Sequence, residues 1–353
     1  MKISRHPVTV SATLLTLALF IPLPAALRNA WTLFFQGSLE GVGGTGVENY
    51  YELIGFASVA IITIGLIATW TGYIKGCRWT WFVMFLITWG WAFPVLVLSG
   101  FHWRDMLPMA QWPPLTPNVE GPQLTFTGGA LTWLIMVVGV LVPAKTFLVG
   151  RGVGANEPPT KPWDHTFRSG WQMRLSLKTH GAASLVSSAL LTLALLMLTP
   201  TVLRNARTTG QVRYGDVAAH PEAGIALDQV VIPNYFAPLG ITSLAIVGIG
   251  LVVTWAGYVR GVRWTWFVML VIAWLWAFPL SLLLPFLYRH GLAEFLRAFG
   301  ITLGYALHGG PYSVNARESV RQALAFLLMV VALVLPAKAF IVGRWDDHHV
   351  GSQ

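Results

Sequence analysis

One segment of this chain is present twice. Residues 69–94, TWTGYIKGCRWTWFVMFLITWGWAFP, return at 254–279 as TWAGYVRGVRWTWFVMLVIAWLWAFP, with 18 of 26 positions identical at a constant offset of 185. Shorter matches extend the duplication over most of both halves, because 28–30 recurs at 204–206 and 143–145 at 336–338. A chain that repeats a unit of this size is expected to fold into two similar units.

The amino-acid composition is typical of a membrane protein. Of 353 residues, 55% are hydrophobic and only 10% are charged, whereas soluble domains carry about 25% charged residues. The lipid bilayer is therefore the expected partner, and the net charge of +9 is assigned to membrane topology rather than to nucleic acid. The single cysteine, Cys77, excludes an internal disulfide and a cysteine metal cluster.

Each half contains four apolar segments long enough for a helix to cross the hydrocarbon core. Because the runs are continuous and lack period-2 alternation, they predict helices rather than membrane strands. The segments are 8–27, 51–74, 79–100 and 127–149 in the first half, and 181–203, 236–259, 264–287 and 320–343 in the second. The predicted fold is an all-α polytopic membrane protein with eight transmembrane helices in two tandem, parallel four-helix repeats.

This organisation predicts a first repeat at 1–151, a cytoplasmic linker at 152–180, a second repeat at 181–344 and a cytoplasmic tail at 345–353. The basic start and small-residue end of the first segment are also typical of a cleaved signal peptide. Its counterpart at 181–203 is internal and is followed by the same Arg-Asn-Ala sequence. We therefore expect the first segment to remain as a helix.

Basic residues predict the orientation. With both termini in the cytoplasm, 14 of the 23 Lys and Arg residues lie on the inner side, including those of the short turns 74–78 and 259–263. This agrees with the positive-inside bias. Since four is an even number, both repeats insert in the same sense and are related by a pseudo-twofold axis along the membrane normal. No organelle-targeting pattern is evident, so the expected location is the cell inner (plasma) membrane.

The first candidate ligand site consists of polar residues at the predicted outer helix ends. Guanidinium and amide donors that converge there would match a carboxylate or a phosphate. The alternative is interfacial anchoring, which is the ordinary role of Arg, Tyr and Trp at helix ends. The candidates are Arg28, Asn29, Asn49, Tyr50 and Arg104 in the first half, and Arg204, Asn205, Asn234, Tyr235 and Arg289 in the second.

The second candidate site is a tryptophan pair near the middle of the third helix of each repeat. The pairs are Trp89 with Trp91 and Trp274 with Trp276, each followed three residues later by a proline. A proline frees a backbone carbonyl, and kinked helices are where transporters build sites. Tryptophan faces also hold cations or planar ligands. The alternative is that these aromatic side chains pack between helices.

Other chemistry finds no support in the sequence. The nine histidines fall at helix ends or in loops, so no pair is positioned for an axial haem site. No HExxH, P-loop or GxSxG motif is present. The only acid near a span is Glu52, replaced by Ala237 in the second copy, which disfavours a buried proton relay. We therefore expect no cofactor and no metal site, and a membrane enzyme ranks third among the functional interpretations because no constellation of residues supports it.

Two segments outside the spans predict surface helices. Residues 291–307 carry apolar positions at helical spacing, which indicates a helix on the outer interface. Residues 168–178 of the linker are amphipathic and basic, although a simple tether explains them equally well.

Two functional interpretations follow from the sequence. The first is a permease or channel-like carrier for a small solute, anions included, with its path between the repeats. The second is a non-catalytic scaffold or accessory subunit whose aromatic faces pack against lipids, a partner subunit or a second copy. Parallel duplication and kinked helices favour the first. Near-total apolarity, with polar motifs confined to helix ends, favours the second.

Overall fold

The computed structural model describes residues 6–35, 47–98, 122–149, 182–207, 227–308 and 313–341. Within these ranges all regular structure is helical and no strand occurs. The α-helices are α1 (His6–Phe20), α2 (Leu23–Phe35), α3 (Val47–Ala68), α4 (Arg78–Leu86), α5 (Pro122–Leu141), α6 (Ala144–Val149), α7 (Ala182–Arg207), α8 (Leu227–Val253), α9 (Arg263–Val271), α10 (Arg289–His308), α11 (Ser313–Val334) and α12 (Ala337–Ile341).

Six helices in the described part of the chain are long and apolar enough to cross a membrane. They are Pro7–Ala30, Leu53–Tyr73, Arg78–Val97, Ala183–Arg207, Pro238–Tyr258 and Arg263–Leu283. All of them fall within segments predicted as spans from the sequence, or overlap them closely. The described part of the chain is thus all-helical, and its six apolar helices indicate a multi-pass membrane protein.

The fourth and eighth predicted spans are helical but less apolar. In α5 the apolar run is Gly129–Leu141, which is shorter than a membrane crossing. In α11 the first nine residues include Arg317, Glu318 and Arg321. The predicted total of eight spans therefore exceeds the six that meet the length and composition of a crossing among the described helices.

Two prolines interrupt helices at equivalent points of the two halves. Pro143 separates α5 from α6, and Pro336 separates α11 from α12. A proline has no N–H to donate to the carbonyl four residues earlier, so the helix breaks. Helical bonding resumes at once, since Phe147 N–H donates to Pro143 O at 3.1 Å and Phe340 N–H donates to Pro336 O at 3.1 Å.

A third break occurs in the first half alone. Helices α1 and α2 are separated at residues 21–22, where Pro22 again lacks the donor for an α-helical bond. The equivalent residue in the second half, at offset 176, is Leu198. Because Leu198 keeps its N–H, α7 runs unbroken through this point.

Several helices continue as π-helix, in which each carbonyl bonds the N–H five residues later. The π-helical segments are Thr69–Tyr73 after α3, Ile87–Leu98 after α4, Thr254–Tyr258 after α8, and Ile272–Ala277 and Pro279–Tyr288 after α9. Such helix accounts for well under 1% of residues in globular proteins. At Pro94 and Pro279 the wider spacing lets the next residue serve the carbonyl that the proline cannot.

Two tight turns define one end of the bundle. Gly76 and Gly261 have φ of 78° and 72°, values that only glycine adopts without strain. In each turn a backbone N–H closes the loop, from Cys77 to Gly72 O at 3.0 Å and from Val262 to Gly257 O at 3.1 Å. We call the end with residues 74–77 and 259–262 the turn end, and the opposite end the rim end.

The two halves contact each other near the turn end through one pair of tryptophans. The rings of Trp79 and Trp264 stack with centroids 4.7 Å apart and planes 5° from parallel. The contact is reciprocal. A Cβ on Gly72 would lie 2.9 Å from Trp264 Cζ2, and a Cβ on Gly257 would lie 3.1 Å from Trp79 Cζ2. Only glycine allows each helix to approach the other half this closely.

The predicted helix at 291–307 is confirmed as α10, Arg289–His308. It leaves large apolar side chains exposed, among them Leu296 and Leu307. The predicted linker helix at 168–178 lies outside the described residues.

Candidate functional sites at the helix junctions

A polar junction forms at the break between α5 and α6, in the first half of the chain. Pro143 cannot donate to the carbonyl four residues earlier, which is that of Gly139. Two hydroxyls replace the missing donor. Tyr73 Oη donates to Gly139 O at 3.0 Å, and Ser11 Oγ donates to the same oxygen. The two hydroxyl oxygens are themselves 2.8 Å apart.

The second half repeats this junction with equivalent residues. Pro336 frees the carbonyl of Ala332. Tyr258 Oη donates to Ala332 O at 3.1 Å, and Ser187 Oγ donates to the same atom. The hydroxyls of Ser187 and Tyr258 are 2.8 Å apart. Each hydroxyl pair therefore replaces a backbone donor that proline removed.

The next carbonyl in each broken helix is also satisfied by a side chain. Trp81 Nε1 donates to Val140 O at 3.0 Å, and Trp266 Nε1 donates to Leu333 O at 3.0 Å. Buried backbone carbonyls almost always find a donor, because leaving one unpaired costs about 1–3 kcal/mol. These contacts explain why the duplicated segment keeps its Tyr and its third Trp, since both side chains donate to the broken helix of their own half.

The importance of Ser11, Tyr73, Ser187 and Tyr258 was missed by the sequence interpretation. A signal was present, since each Ser–Ser and Tyr–Tyr pair stands at the same offset as its surrounding segment. The repeated prolines, Pro143 and Pro336, were a second signal, because each leaves the carbonyl four residues earlier without its helical donor. Neither identifies the partner, because the Ser, the Tyr and the carbonyl lie on three different helices and meet only in the folded chain.

The predicted tryptophan site divides into an outward and an inward pair. Trp89 and Trp274 are 39% and 47% exposed and face away from the bundle. Trp89 packs edge to face on Trp133 of α5, with ring centroids 5.5 Å apart. Trp274 packs in the same way on Phe326 of α11, with ring centroids 5.6 Å apart. These rings present an aromatic surface to the surroundings of the bundle.

Trp91 and Trp276 are the inward pair, 1% and 2% exposed. Trp276 Nε1 donates to Ser243 Oγ at 2.9 Å. The residue equivalent to Ser243 in the first half is Ser58, yet Trp91 Nε1 is buried and has no hydrogen-bond partner among the described residues. The two halves therefore differ at this polar contact.

Thr242 is a second buried polar group without a partner. Its Oγ1 makes no hydrogen bond to any described residue, although a helical Thr normally bonds the carbonyl one turn earlier. One turn further along α8, the Ala245 Cβ would lie 3.5 Å from a Cβ on Gly90 of the other half. Thr242 thus belongs to the helix that forms the contact between the halves, near its rim end.

Asn29 and Asn205, two of the candidates predicted at the outer helix ends, lie at close crossings between helices. A Cβ on Gly55 would clash with the backbone of Asn29 and Ala30, and a Cβ on Gly240 with the backbone of Asn205 and Ala206. The repeated Asn-Ala sequence therefore marks the crossing of α2 with α3 in the first half and of α7 with α8 in the second. Asn205 is buried there and Asn29 half-buried.

The two rim arginines have different surroundings. Arg28 is exposed. Arg204 is also exposed but forms a two-point ion pair with Glu318 of α11, with Nη2 donating to Oε1 at 2.8 Å. A carboxylate of the chain therefore already occupies the guanidinium that the sequence assigned to an external anion.

The remaining rim candidates are only partly covered by the structure. Asn49 and Tyr50 lie in α3, Asn234 and Tyr235 in α8, and Arg289 at the start of α10. Arg104 lies outside the described residues.

Comparisons with known proteins add no relative. No protein-family model, no curated protein and no solved structure matches the chain. The assignment of function therefore depends on the contacts described above.

Proposed function

We propose that this chain is an eight-span protein of the inner (plasma) membrane, made of two parallel four-helix repeats with both termini in the cytoplasm. Equivalent junctions of a Ser, a Tyr and a backbone carbonyl occur at Gly139 and Ala332. They support the view that the fourth and eighth predicted spans occupy equivalent positions in the two repeats. The reciprocal contacts of Trp79 and Trp264 are those expected beside a twofold axis. The basic turns at the turn end support a cytoplasmic location for that end.

Within this framework we propose a permease or channel-like carrier for a small solute, anions included, with its path between the two halves. The observation that carries the proposal is that two of the unpartnered polar atoms, Trp91 Nε1 and Thr242 Oγ1, lie on helices that join the halves. A contact serving packing alone would use apolar residues there, because each unpaired polar group costs about 1–3 kcal/mol. A polar solute or water passing between the halves would supply the missing partners.

The stacked tryptophans define the closed state of such a path. Trp79 and Trp264 join the halves near the turn end, and each ring lies so close to a glycine of the other half that an added Cβ would already crowd it. Passage would require this stack to separate. The π-helical segments Ile87–Leu98 and Ile272–Ala277 lie in the helices that would move, and π-helical turns often occur at functional sites.

A scaffold or accessory subunit is the second candidate function. It is favoured by the exposed aromatic surfaces around Trp89 and Trp274. A partner subunit's helix, or a second copy of the chain, would bury these rings, and tryptophan is enriched at the centre of protein interfaces.

Cysteine accessibility separates the two functions. In a Cys77→Ser background, Thr242→Cys and Ser58→Cys replace small buried residues with side chains of similar size. Leu244→Cys, at a residue that faces outward, is the matched control, since a thiol in lipid does not form the reactive thiolate. A path predicts that a small, membrane-impermeant thiosulfonate modifies the cysteines at 242 and 58 from the rim side, and leaves the control unmodified.

Complete protection of both buried positions, in protein shown to be inserted and folded, would reject the path. The scaffold would then gain support if Trp274→Ala and Trp89→Ala disrupted a complex isolated from native membranes. Retention of the complex in both variants would count against the scaffold.

A further inference from the structure

Arg321 in α11 is a partly buried cation whose hydrogen bonding is incomplete. Its Nη2 donates to Thr201 Oγ1 at 2.9 Å, but its Nε is buried and has no partner among the described residues. An arginine side chain stays charged at any physiological pH. An unfilled donor on a partly buried charge therefore indicates a missing acceptor.

Polar residues at this level of the second half come from three helices. Gln322 Nε2 also approaches Thr201 Oγ1, at 3.3 Å. Ser281, in the π-helical segment after α9, is fully buried and its Oγ is unpartnered within the described ranges. Phe278 and Phe326 have ring centroids 5.5 Å apart. Gln322 lies one turn before Phe326, and Ser281 lies about one turn after Phe278. Because these two helices run in opposite directions, Gln322 and Ser281 lie at the same level, one turn closer to the rim end.

The nearby ion pair leaves the charge of Arg321 uncompensated. Glu318 is one turn from Arg321, but both its oxygens are taken by Arg204. The group of Arg204, Glu318 and Arg321 thus carries a net charge of about +1 at neutral pH.

The first half lacks this polar group altogether. The offsets that align the two halves place Ala25 opposite Thr201, Gly128 opposite Arg321, Gly129 opposite Gln322 and Leu96 opposite Ser281. In the first half, Gly129 lets α5 lie directly against the Leu96 carbonyl. A four-helix unit therefore packs without these polar residues, so their presence in the second half needs a separate explanation.

We propose that the second half contains an oxyanion-binding site at its rim end, formed by Arg321 with Gln322 and Ser281. The Arg321 Nε–H supplies a charge-assisted donor, and the Gln322 amide and Ser281 hydroxyl supply neutral donors. A planar guanidinium suits a carboxylate or phosphate oxygen. The ligand class is a single phosphate or carboxylate, either on a lipid headgroup or on a free solute. This site goes beyond the carrier proposal, because it would bind its anion whether or not transport occurs.

The test is a ligand titration of purified full-length protein, with thermal unfolding as the readout. The probes are inorganic phosphate and a short-chain phosphatidylglycerol, each against chloride at equal ionic strength. We expect a saturable rise in Tm of the wild type, and Arg321→Gln should weaken the apparent Kd at least tenfold. Saturation with both probes identifies a free oxyanion as sufficient. Saturation with the lipid alone identifies a headgroup.

Arg317→Gln is the matched control. Arg317 is an exposed arginine of the same helix, and its side chain donates to Ala306 O, away from the site. It should leave the apparent Kd unchanged. If Arg321→Gln does not fold, Ser281→Ala and Gln322→Leu test the same site, and each should weaken binding by at least threefold.

The proposal is overturned if neither probe shifts the wild-type Tm, or if variants at 321, 322 and 281 bind as the wild type does. Its failure is distinct from failure of the carrier. Modification at residue 242 from the rim side, without any anion-dependent shift, would remove this site and leave the path in place.

Discussion

At the scale of single residues, side chains complete the backbone hydrogen bonding of broken helices. Tyr73 and Ser11 share the Gly139 carbonyl, and Trp81 serves the next one. In lipid no water can fill these positions, so the chain must provide its own donors. The duplicated tyrosine and tryptophan are therefore structural.

Removal of one hydroxyl at this junction should cost less than removal of both. Tyr73→Phe leaves Ser11 as a donor to Gly139 O, and we expect a loss of about 0.6–1 kcal/mol in unfolding free energy. Adding Ser11→Ala leaves the carbonyl unpaired and should cost about 1–3 kcal/mol more. Unfolding in detergent, followed by tryptophan fluorescence, measures both values.

The Pro143→Ala background is the control for this prediction. It restores an N–H that can donate to Gly139 O, so Tyr73→Phe should then have almost no effect on unfolding free energy. An equal cost of Tyr73→Phe with and without the proline would contradict the account.

The thiol of Cys77 should react slowly at neutral pH. Burial raises the pKa of Cys77, and the neighbouring Lys75 ammonium lowers it to a smaller extent. Only the thiolate attacks a maleimide, so a raised pKa leaves less reactive thiol at pH 7. The labelling rate should therefore continue to rise with pH beyond the range in which the rate for an exposed cysteine of a short unstructured peptide has levelled off.

Lys75→Gln checks the cause of this pH dependence. Without the ammonium group the pKa of Cys77 should rise further, and labelling at a fixed pH should slow. A rate profile that matches the free thiol, or faster labelling in Lys75→Gln, would show that the thiol does not have this environment.

At the scale of elements, the sequence predicted helix positions well and helix interruptions poorly. The six candidate spans and α10 follow from apolar runs and spacing, which are local properties. The π-helical segments and the partners of Pro143 do not, because they depend on which helices become neighbours. The rim Arg204 illustrates the same limit, since its partner Glu318 is 114 residues away.

Two glycines of the first half should respond in opposite ways to alanine. A Cβ on Gly72 would clash with the Thr80 side chain and lie 2.9 Å from Trp264, whereas a Cβ on Gly90 would meet only Ala245 at 3.5 Å. We expect Gly72→Ala to destabilise by about 1–3 kcal/mol. Gly90→Ala should be neutral or stabilise by up to about 1 kcal/mol.

The same unfolding measurement tests both glycines. Equal effects of the two substitutions would contradict the close approach between the halves at Gly72. The equivalent substitution in the second half, Gly257→Ala, should behave as Gly72→Ala does, because Trp79 lies against it.

At the scale of the whole molecule, duplication predicted more than any single motif. It indicated two equivalent units, and equivalent junctions recur at Gly139 and Ala332. It could not indicate where the units differ. The polar group of Arg321, Gln322 and Ser281 occurs in the second half alone, and the unpartnered Trp91 occurs in the first half alone. The proposed functions rest on features of this kind.

The central claim is that both units cross the membrane in the same sense. The chain offers a direct test, because its one natural cysteine, Cys77, occupies the same turn position as Val262 in the second unit. Wild type and a Cys77→Ser, Val262→Cys variant would be labelled with an impermeant maleimide at high pH, in intact cells and in inverted vesicles. Labelling of both cysteines only in inverted vesicles is the predicted result. Labelling of the two positions from opposite sides would contradict the parallel arrangement.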